Sequence, residues 1–217
     1  MTVLEAIGLH RFFHTDTDEI VALKDVALRV DAGEFVAIVG PSGSGKSTLI
    51  ACLAGLDEPD GGTVTIAGQR MSRRPEVIKA ALRAAHIGLM YQGQNLFDHL
   101  TVHGNVRLAQ RLARRPSRND LERLGIAQRA HSRPGRLSGG EAARAAIAVA
   151  TAADPGILLA DEPTAELDTT NEAAVLNLLV GLTRRNTAAV VVTHSERVAG
   201  AADRVLHMSD GRLSDGR

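Results

Sequence analysis

The sequence contains little cysteine and few aromatic residues. Cys52 is the only cysteine among 217 residues, and the chain has one tyrosine and no tryptophan. A single cysteine excludes an intramolecular disulfide framework and a thiolate metal cluster. Cys52 falls in a predicted helix, where the simplest interpretation is a small buried apolar side chain. Few side chains are available to stack on a planar ligand: Phe12, Phe13, Phe35, Phe97 and Tyr91.

An excess of one charge and long apolar runs are also missing. Lys+Arg and Asp+Glu both total 25, so a net charge of zero gives no overall attraction to nucleic acid or to an anionic membrane. No apolar stretch approaches the ~20 residues that span a bilayer, and the first residues lack the basic and apolar regions of a signal peptide. We therefore expect a soluble, unexported chain, long enough to form one domain with a substantial core.

The most informative stretch matches the pattern G-x-x-x-x-G-K-[ST]. Residues 34–39 before it predict a buried strand, and residues 47–54 after it have helical spacing. In that context, backbone N–H groups and a helix N-terminus can cradle phosphate, while the lysine reaches the terminal phosphates and the next hydroxyl a Mg²⁺ ion. The flanking pattern disfavours a glycine-rich turn with a chance lysine. The loop consists of Gly40, Pro41, Ser42, Gly43, Ser44, Gly45, Lys46, Ser47 and Thr48.

A second signal for phosphate chemistry is a pair of carboxylates at the end of an apolar run. Residues 157–160 predict a buried strand, and Asp161 and Glu162 follow at its carboxyl end, where α/β sheets bind ligands. Asp161 can hold the Mg²⁺ shell, and Glu162 can accept a proton from the water that attacks a phosphate. The alternative is a polar strand end stopped by Pro163.

A predicted helix start near Ser138 is a third and less specific signal for anion binding. Ser138 and Glu141 have the spacing of a capping box, which predicts only that a helix begins here. Between them, Gly139 and Gly140 would let that helix start approach an anion closely.

The remaining pattern predicts an α/β fold with a mainly parallel sheet, because residues 156–161 and 188–193 are continuous apolar runs. Further strands are predicted at residues 3–9, 23–30, 63–67 and 86–91, helices at 77–85 and 172–182, and a hairpin at 204–213.

A basic segment interrupts this alternation. Residues 103–136 contain nine arginines and two acidic residues, a local net charge of +7. Leu108, Leu112, Leu121 and Leu124 lie among them at helical spacings broken by Pro116, which predicts a small basic helical lobe.

Taken in order, these motifs resemble the ATP-binding subunit of an ABC transporter. The resemblance covers essentially the whole chain and rests on the phosphate loop, Gln92, Leu-Ser-Gly-Gly-Glu at 137–141, residues 157–164, Ala-Glu-Leu-Asp at 165–168 and Thr-His at 193–194. Residues 86–92 and 133–136 are most similar to the lipoprotein-release, macrolide-export and cell-division branch. The resemblance implies one ABC domain over residues 1–217, with an antiparallel β subdomain and a helical subdomain at 93–136.

The resemblance also implies an assembly. Ser138, Gly139, Gly140 and Glu141 match the signature that closes on the γ-phosphate of an ATP held by a second copy. The working unit implied is a head-to-tail dimer with two ATP molecules, and one chain alone cannot complete a site.

Further roles follow from the matched positions. Asp161, Ser47 and Gln92 would hold Mg²⁺, with Gln92 linking the core to the helical lobe. Glu162 would be the general base, and His194 would contact the γ-phosphate. Without the resemblance, nothing in the sequence would distinguish His194 and Gln92 from structural residues at strand ends.

Two more matched positions concern the base and the dimer. Asp168 matches the residue that communicates across the dimer. Phe13 falls at the aromatic position that stacks on adenine, with Phe12 as its competitor and a plain core phenylalanine as the alternative.

The sequence departs from the family pattern near the helical lobe. Ala142 and Ala143 stand where two glutamines are usual, and Val149 where an arginine is usual. Gly93 and Gly104 replace bulkier residues. These positions are expected on the side that faces a permease. The departures therefore bear on the identity of the partner more than on the ATPase chemistry.

The prediction is therefore an ATPase subunit at the cytoplasmic face of the membrane that binds ATP and Mg²⁺ and drives a separate integral membrane permease, with no nucleic-acid partner. One alternative is a mechanotransmission ATPase that controls a membrane partner without transport. A soluble ABC ATPase acting on ribosomes or DNA is disfavoured, because that class normally has tandem or split cores.

Overall fold

A computed structural model describes residues 1–14, 19–91, 93, 95–115 and 121–216. Gln92 lies outside the described residues, as do Pro116, Arg118 and Asp120 of the basic segment. In chain order, the elements are β1 (Thr2–His14), β2 (Glu19–Asp31), β3 (Phe35–Val39), α1 (Lys46–Leu53), β4 (Gly61–Ile66), β5 (Gln69–Arg70), α2 (Glu76–His86), β6 (Ile87–Met90), α3 (Val102–Leu112), α4 (Gly139–Ala150), β7 (Ile157–Asp161), α5 (Thr169–Thr183), β8 (Ala188–Val192), α6 (Glu196–Gly200), β9 (Arg204–Ser209) and β10 (Arg212–Asp215).

The larger sheet contains six strands in the order β10-β9-β3-β8-β7-β6. Its inner pairs are parallel, and only β10 is antiparallel, as the second strand of the predicted hairpin. Alternate residues of β7 face opposite sides, so that Ile157 and Leu159 join one buried cluster and Leu158 and Ala160 the other. Both faces are therefore covered, which explains why these strands read as unbroken apolar runs.

The smaller sheet is antiparallel, in the order β2-β1-β4-β5. Together the two sheets confirm the predicted α/β class with its antiparallel portion. Strands β1 and β2 run longer than predicted, because both continue into a ribbon that ends at His14 and Glu19. A register shift between Arg11 and Phe12 of β1 leaves Ala22 as an extra residue in β2. The sequence pattern also missed the two-residue β5 and the short α6.

The helix start at Ser138 forms as its sequence predicts. The Ser138 hydroxyl accepts from the backbone N–H of Glu141, and the Glu141 carboxylate accepts from the backbone N–H of Ser138, which completes a capping box. Asp168 caps α5 by accepting from the N–H groups of Thr170 and Asn171.

The leucines of the basic segment do not define the buried face of its first helix. Helix α3 buries Val102, Asn105 and Val106, whereas Leu112 is 67% exposed. Asn105 can take a core position because its amide donates to the carbonyls of Phe97 and Thr101 and accepts from the Phe97 N–H. Leu121 and Leu124 are buried, but they lie in turns rather than in a helix.

Across the described ranges, no helix combines the length and hydropathy that would carry it through a bilayer.

Candidate nucleotide site

The phosphate loop connects the carboxyl end of β3 to the first residue of α1. Gly45, immediately before α1, has a φ of 103°. A Cβ atom there would lie 2.2 Å from the carbonyl oxygen of Ala22, so only glycine fits this turn. Leu49 and Ile50 bury the apolar side of α1, which fixes the helix start against the sheet. The N-terminus of α1 therefore opens at the mouth of the loop, as phosphate binding requires.

Lys46 is largely buried at the base of this loop. Its Nζ donates to the carbonyl oxygens of Gly40 and Pro41, both at 2.8 Å. Burial lowers the pKa of Lys46, and the nearby carboxylates of Glu162 and Asp161 oppose that change. The ammonium group is thus a fixed positive charge within the loop.

A cavity of about 810 Å³ brings most of the predicted residues together. Ser42, Gly43 and Gly45 of the loop border it, as do Lys46, Ser47 and Thr48 at the start of α1. Asp161, Glu162 and His194 enter from the ends of β7 and β8, and Phe13 from the end of β1. The volume is in the range of small-molecule sites. Of the remaining loop residues, Gly40 and Pro41 border a neighbouring cavity, and Ser44 is buried behind the wall.

Glu162 and His194 are adjacent in this cavity because β7 and β8 are neighbours in the sheet. The His194 Nε2 lies 3.5 Å from Glu162 Oε1, and the His194 backbone N–H donates to Glu162 Oε2 at 3.3 Å. Glu162 has a left-handed backbone with φ of 50°, which is uncommon outside glycine and concentrates at functional sites. Oε1 is buried, and no group in the described part of the chain forms a hydrogen bond to it. This oxygen is available as a proton acceptor.

The donor set suits Mg²⁺ held jointly with phosphates. Ser47 and the nearly buried Asp161 line the same cavity as Lys46, and both offer the hard oxygen donors that Mg²⁺ prefers. Within the described ranges, no group of three or more His, Cys, Asp or Glu side chains forms a metal cage. Nucleotide-bound Mg²⁺ typically uses one or two protein oxygens together with phosphates and water. The predicted third donor, Gln92, lies outside the described residues.

Phe13, rather than its neighbour Phe12, borders the cavity. The Phe13 ring is 38% exposed, and the Arg11 guanidinium lies over it, 4.6 Å from the ring centroid. Phe12 instead stacks near His10 with a centroid separation of 6.3 Å. Alternation along a strand explains the difference, because Arg11 and Phe13 share a face and Phe12 points the other way.

The signature residues lie apart from the phosphate loop of their own chain. Gly139 borders a different cavity of about 350 Å³, and neither Ser138, Gly139, Gly140 nor Glu141 borders the larger one. Ser138 and Gly139 are exposed at the start of α4. Arg129 donates to the Glu141 carboxylate at 2.8 Å and, together with the Ser138 N–H, lowers the pKa of Glu141. Ala142 and Ala143, where the family usually has glutamines, line the smaller cavity.

Asp168 also lies outside the larger cavity and fixes the start of α5 instead. Its carboxylate accepts from the Asn171 side-chain amide at 2.7 Å, and bonds from the Asn171 backbone and amide lower the pKa of Asp168. The Asn171 side chain packs so closely on Gly140 that a Cβ atom there would be 1.9 Å from Asn171 Oδ1. Asp168 therefore holds the signature helix in place through Asn171.

Arg11 and Glu172 are among the residues of this site that sequence reasoning missed. Arg11 covers Phe13, and its position two residues earlier on the same strand face was the available signal. Glu172 borders the cavity and accepts from the Ser195 hydroxyl, but its place inside a predicted helix gave no signal.

The fold and this cavity define a P-loop nucleoside triphosphatase with a mainly parallel sheet. A family model described as "ABC transporter" matches residues 23–165. The chain belongs to the ABC transporter family, as an ATP-binding cassette with ATPase activity. This confirms the family and the activity that the sequence motifs predict.

Curated relatives place the chain nearer to one part of that family. It is 38% identical to "Lipoprotein-releasing system ATP-binding protein LolD" of Chromohalobacter salexigens, over 98% of this chain and 93% of the relative. It is 41% identical to "Macrolide export ATP-binding/permease protein MacB" of Pectobacterium atrosepticum, over 98% of this chain but only 34% of that protein. The chain therefore spans about a third of the MacB relatives. These relatives give the mechanotransmission alternative no support over transport.

Solved structures agree with the fold across the whole chain. The dimeric bacterial ABC transporter cassette MJ0796 has a TM-score of 0.90 and 33% identity, covering 99% of both chains. A second structure of that cassette, a dimer in a post-hydrolysis state bound to ADP and phosphate, has a TM-score of 0.89.

Proposed function

We propose that this chain is the ATP-hydrolysing subunit of a transporter, working at the cytoplasmic face of the membrane as a head-to-tail dimer that drives a separate integral membrane permease. The observation that carries this proposal is the separation of the two phosphate-contacting motifs. Lys46 and Ser47 of the phosphate loop line one cavity, whereas Ser138 and Gly139 are exposed and do not border it. A second copy would bring its signature to the open side of the nucleotide.

Each residue of the site has a separate role in ATP hydrolysis. Lys46 and the backbone N–H groups of the loop hold the phosphates, and Phe13 stacks on adenine. Water attacks the γ-phosphorus as the bond to the β-phosphate oxygen breaks, and Glu162 accepts the proton of that water. His194 holds Glu162 and contacts the γ-phosphate. Mg²⁺, held by Ser47 and Asp161, would neutralise charge on the phosphates.

Two substitutions separate binding from hydrolysis. Lys46→Ala removes the buried cation and should abolish ATP binding. Glu162→Gln removes only the proton acceptor, so ATP should still bind and accumulate in an undissociated dimer. Size-exclusion chromatography with light scattering, with and without ATP, measures the change in mass.

The control is Glu122→Gln, which neutralises an exposed carboxylate that borders neither cavity. It should turn over ATP and dimerise only transiently, like the wild type. A wild-type chain whose specific activity does not fall on dilution to a monomeric concentration would refute the head-to-tail dimer. So would a Glu162→Gln chain that binds ATP and stays monomeric at high concentration, alone and with detergent-solubilised membranes.

A further inference from the structure

Arg11 covers one face of the Phe13 ring. Its guanidinium lies over the ring at 4.6 Å from the centroid, and a cation there is attracted by the ring quadrupole. Phe13 borders the nucleotide cavity, whereas Arg11 does not. The ring therefore lies between Arg11 and the cavity that a base would enter.

Two carboxylates clamp this guanidinium. Arg11 Nε and Nη2 donate to the two oxygens of Asp57 at 2.8 and 2.9 Å, and Nη1 donates to Asp60 at 3.1 Å. A bidentate pair fixes the plane of a guanidinium, which a single contact does not. The bonds with Asp57 and Asp60 raise the pKa of Arg11, so it stays charged throughout the working pH range.

The same cluster fixes the backbone next to the ring. The Phe12 N–H donates to Asp60 at 2.8 Å, and the Phe12 carbonyl accepts from Arg11 Nη1 at 3.3 Å. Asp57 follows α1, and its own N–H donates to the carbonyl of Ala51 within that helix. The Phe13 platform is thus tied to the helix that begins at Lys46.

We propose that Arg11 is a positioning residue for base recognition: clamped by Asp57 and Asp60, it covers one face of Phe13 and directs the other face towards the nucleotide base. The inference rests on the proposed stacking of adenine on Phe13. It assigns the affinity of the site for the base to Phe13 and Arg11 together. Arg11 acts through Phe13 and has no contact with phosphate in this scheme.

A double-mutant cycle tests whether Arg11 acts through Phe13. Equilibrium affinities for ATP and for inorganic tripolyphosphate, which has no base, are measured for the wild type, Arg11→Met, Phe13→Ala and the double variant. Phe13→Ala should weaken ATP about 5- to 100-fold, the range of base stacking on an aromatic ring. Arg11→Met should weaken ATP about 3- to 10-fold in the wild-type background and less than about twofold in the Phe13→Ala background. Tripolyphosphate affinity should be unchanged in all four.

Matched controls separate positioning from general destabilisation. Arg29→Met removes an exposed arginine that does not line the cavity and should leave both affinities unchanged. Phe12→Ala should affect ATP less than Phe13→Ala. Arg11→Lys keeps the cation but loses the bidentate pair with Asp57, whereas Asp60→Asn leaves that pair in place. Both should fall between Arg11→Met and the wild type, with Asp60→Asn nearer to the wild type.

The outcomes distinguish an error in the adenine role of Phe13 from an error in the positioning role of Arg11. If Phe13→Ala leaves ATP affinity unchanged, the adenine role of Phe13 is wrong. If Phe13→Ala weakens ATP but Arg11→Met has no effect, has an equal effect in both backgrounds, or weakens tripolyphosphate as much as ATP, the positioning role of Arg11 is wrong and the adenine role stands.

Discussion

Cys52 lies in α1, only six residues after Lys46, and its side chain is buried. Burial raises the pKa of the Cys52 thiol to about 12, from an ordinary value of ~8.5. At pH 8 the native protein should therefore resist Ellman's reagent, whereas protein in guanidinium chloride should react with one equivalent, because the thiolate is the reactive species. Rapid stoichiometric labelling of the native protein at pH 8 would contradict this burial.

The raised pKa of the Cys52 thiol also determines whether the free energy of unfolding rises or falls at alkaline pH. Above pH ~8.5 the unfolded chain releases the thiol proton, while the native chain keeps it until the pH approaches 12. The Cys52 contribution to stability is therefore fully present below pH ~8.5 and decreases as the pH rises above that value. Denaturant melts of the wild type and of Cys52→Ala between pH 8 and 10 should converge, since only the wild type loses this contribution.

At the scale of elements, α3 shows where hydropathy patterns fail. The strand-loop-helix pattern around the phosphate loop predicted β3 and α1 correctly, and the apolar run before Asp161 and Glu162 predicted β7. Few structures other than a buried parallel strand fit such an apolar run. In α3 the leucines do not mark the buried face, since Leu112 is exposed. A polar residue with its hydrogen bonds satisfied, Asn105, takes a core position, and no count of apolar residues can find such a position.

Two alanine substitutions test the orientation of α3. Val106 is buried, so Val106→Ala should cost about 2 kcal/mol through lost burial and the cavity left behind. Leu112→Ala, on the exposed side, should change the free energy of unfolding by less than about 0.5 kcal/mol. Chemical denaturation of both variants measures the difference, and a larger loss at Leu112 would mean that the helix is rotated from the position described.

The molecule as a whole has a net charge of zero, but α3 and the turn after it carry several positive charges. Arg107 and Arg111 are exposed and four residues apart, so they share one side of α3, and Arg114 is exposed in the turn that follows the helix. If the permease binds here, replacing all three with glutamate should reduce the amount of integral membrane protein that co-purifies from detergent-solubilised membranes. The wild-type association should weaken with added salt, since the Debye length is only ~8 Å at 0.15 M. Basal ATPase activity should not change.

The matched control reverses two exposed arginines at the far end of α5, Arg184 and Arg185. It should leave membrane-protein recovery unchanged. Equal recovery with the α3 triple variant at low salt would mean that these arginines only solvate the helix. The sequence located this charge but could not say what it faces, because a charged surface looks the same whether it meets water or a partner.

The position of β3 in the large sheet has a consequence for how the protein is made. Phe35 pairs with Ala189 on one side, and Val36 pairs with Arg204 on the other. The phosphate loop is translated directly after β3, whereas β8 and β9, the strands on both sides of β3, are translated much later. Contacts this distant in sequence form late in folding. A nascent chain that ends before β8 thus carries the complete loop sequence without a working ATPase, and nucleotide binding begins only after β8 and β9 have been made.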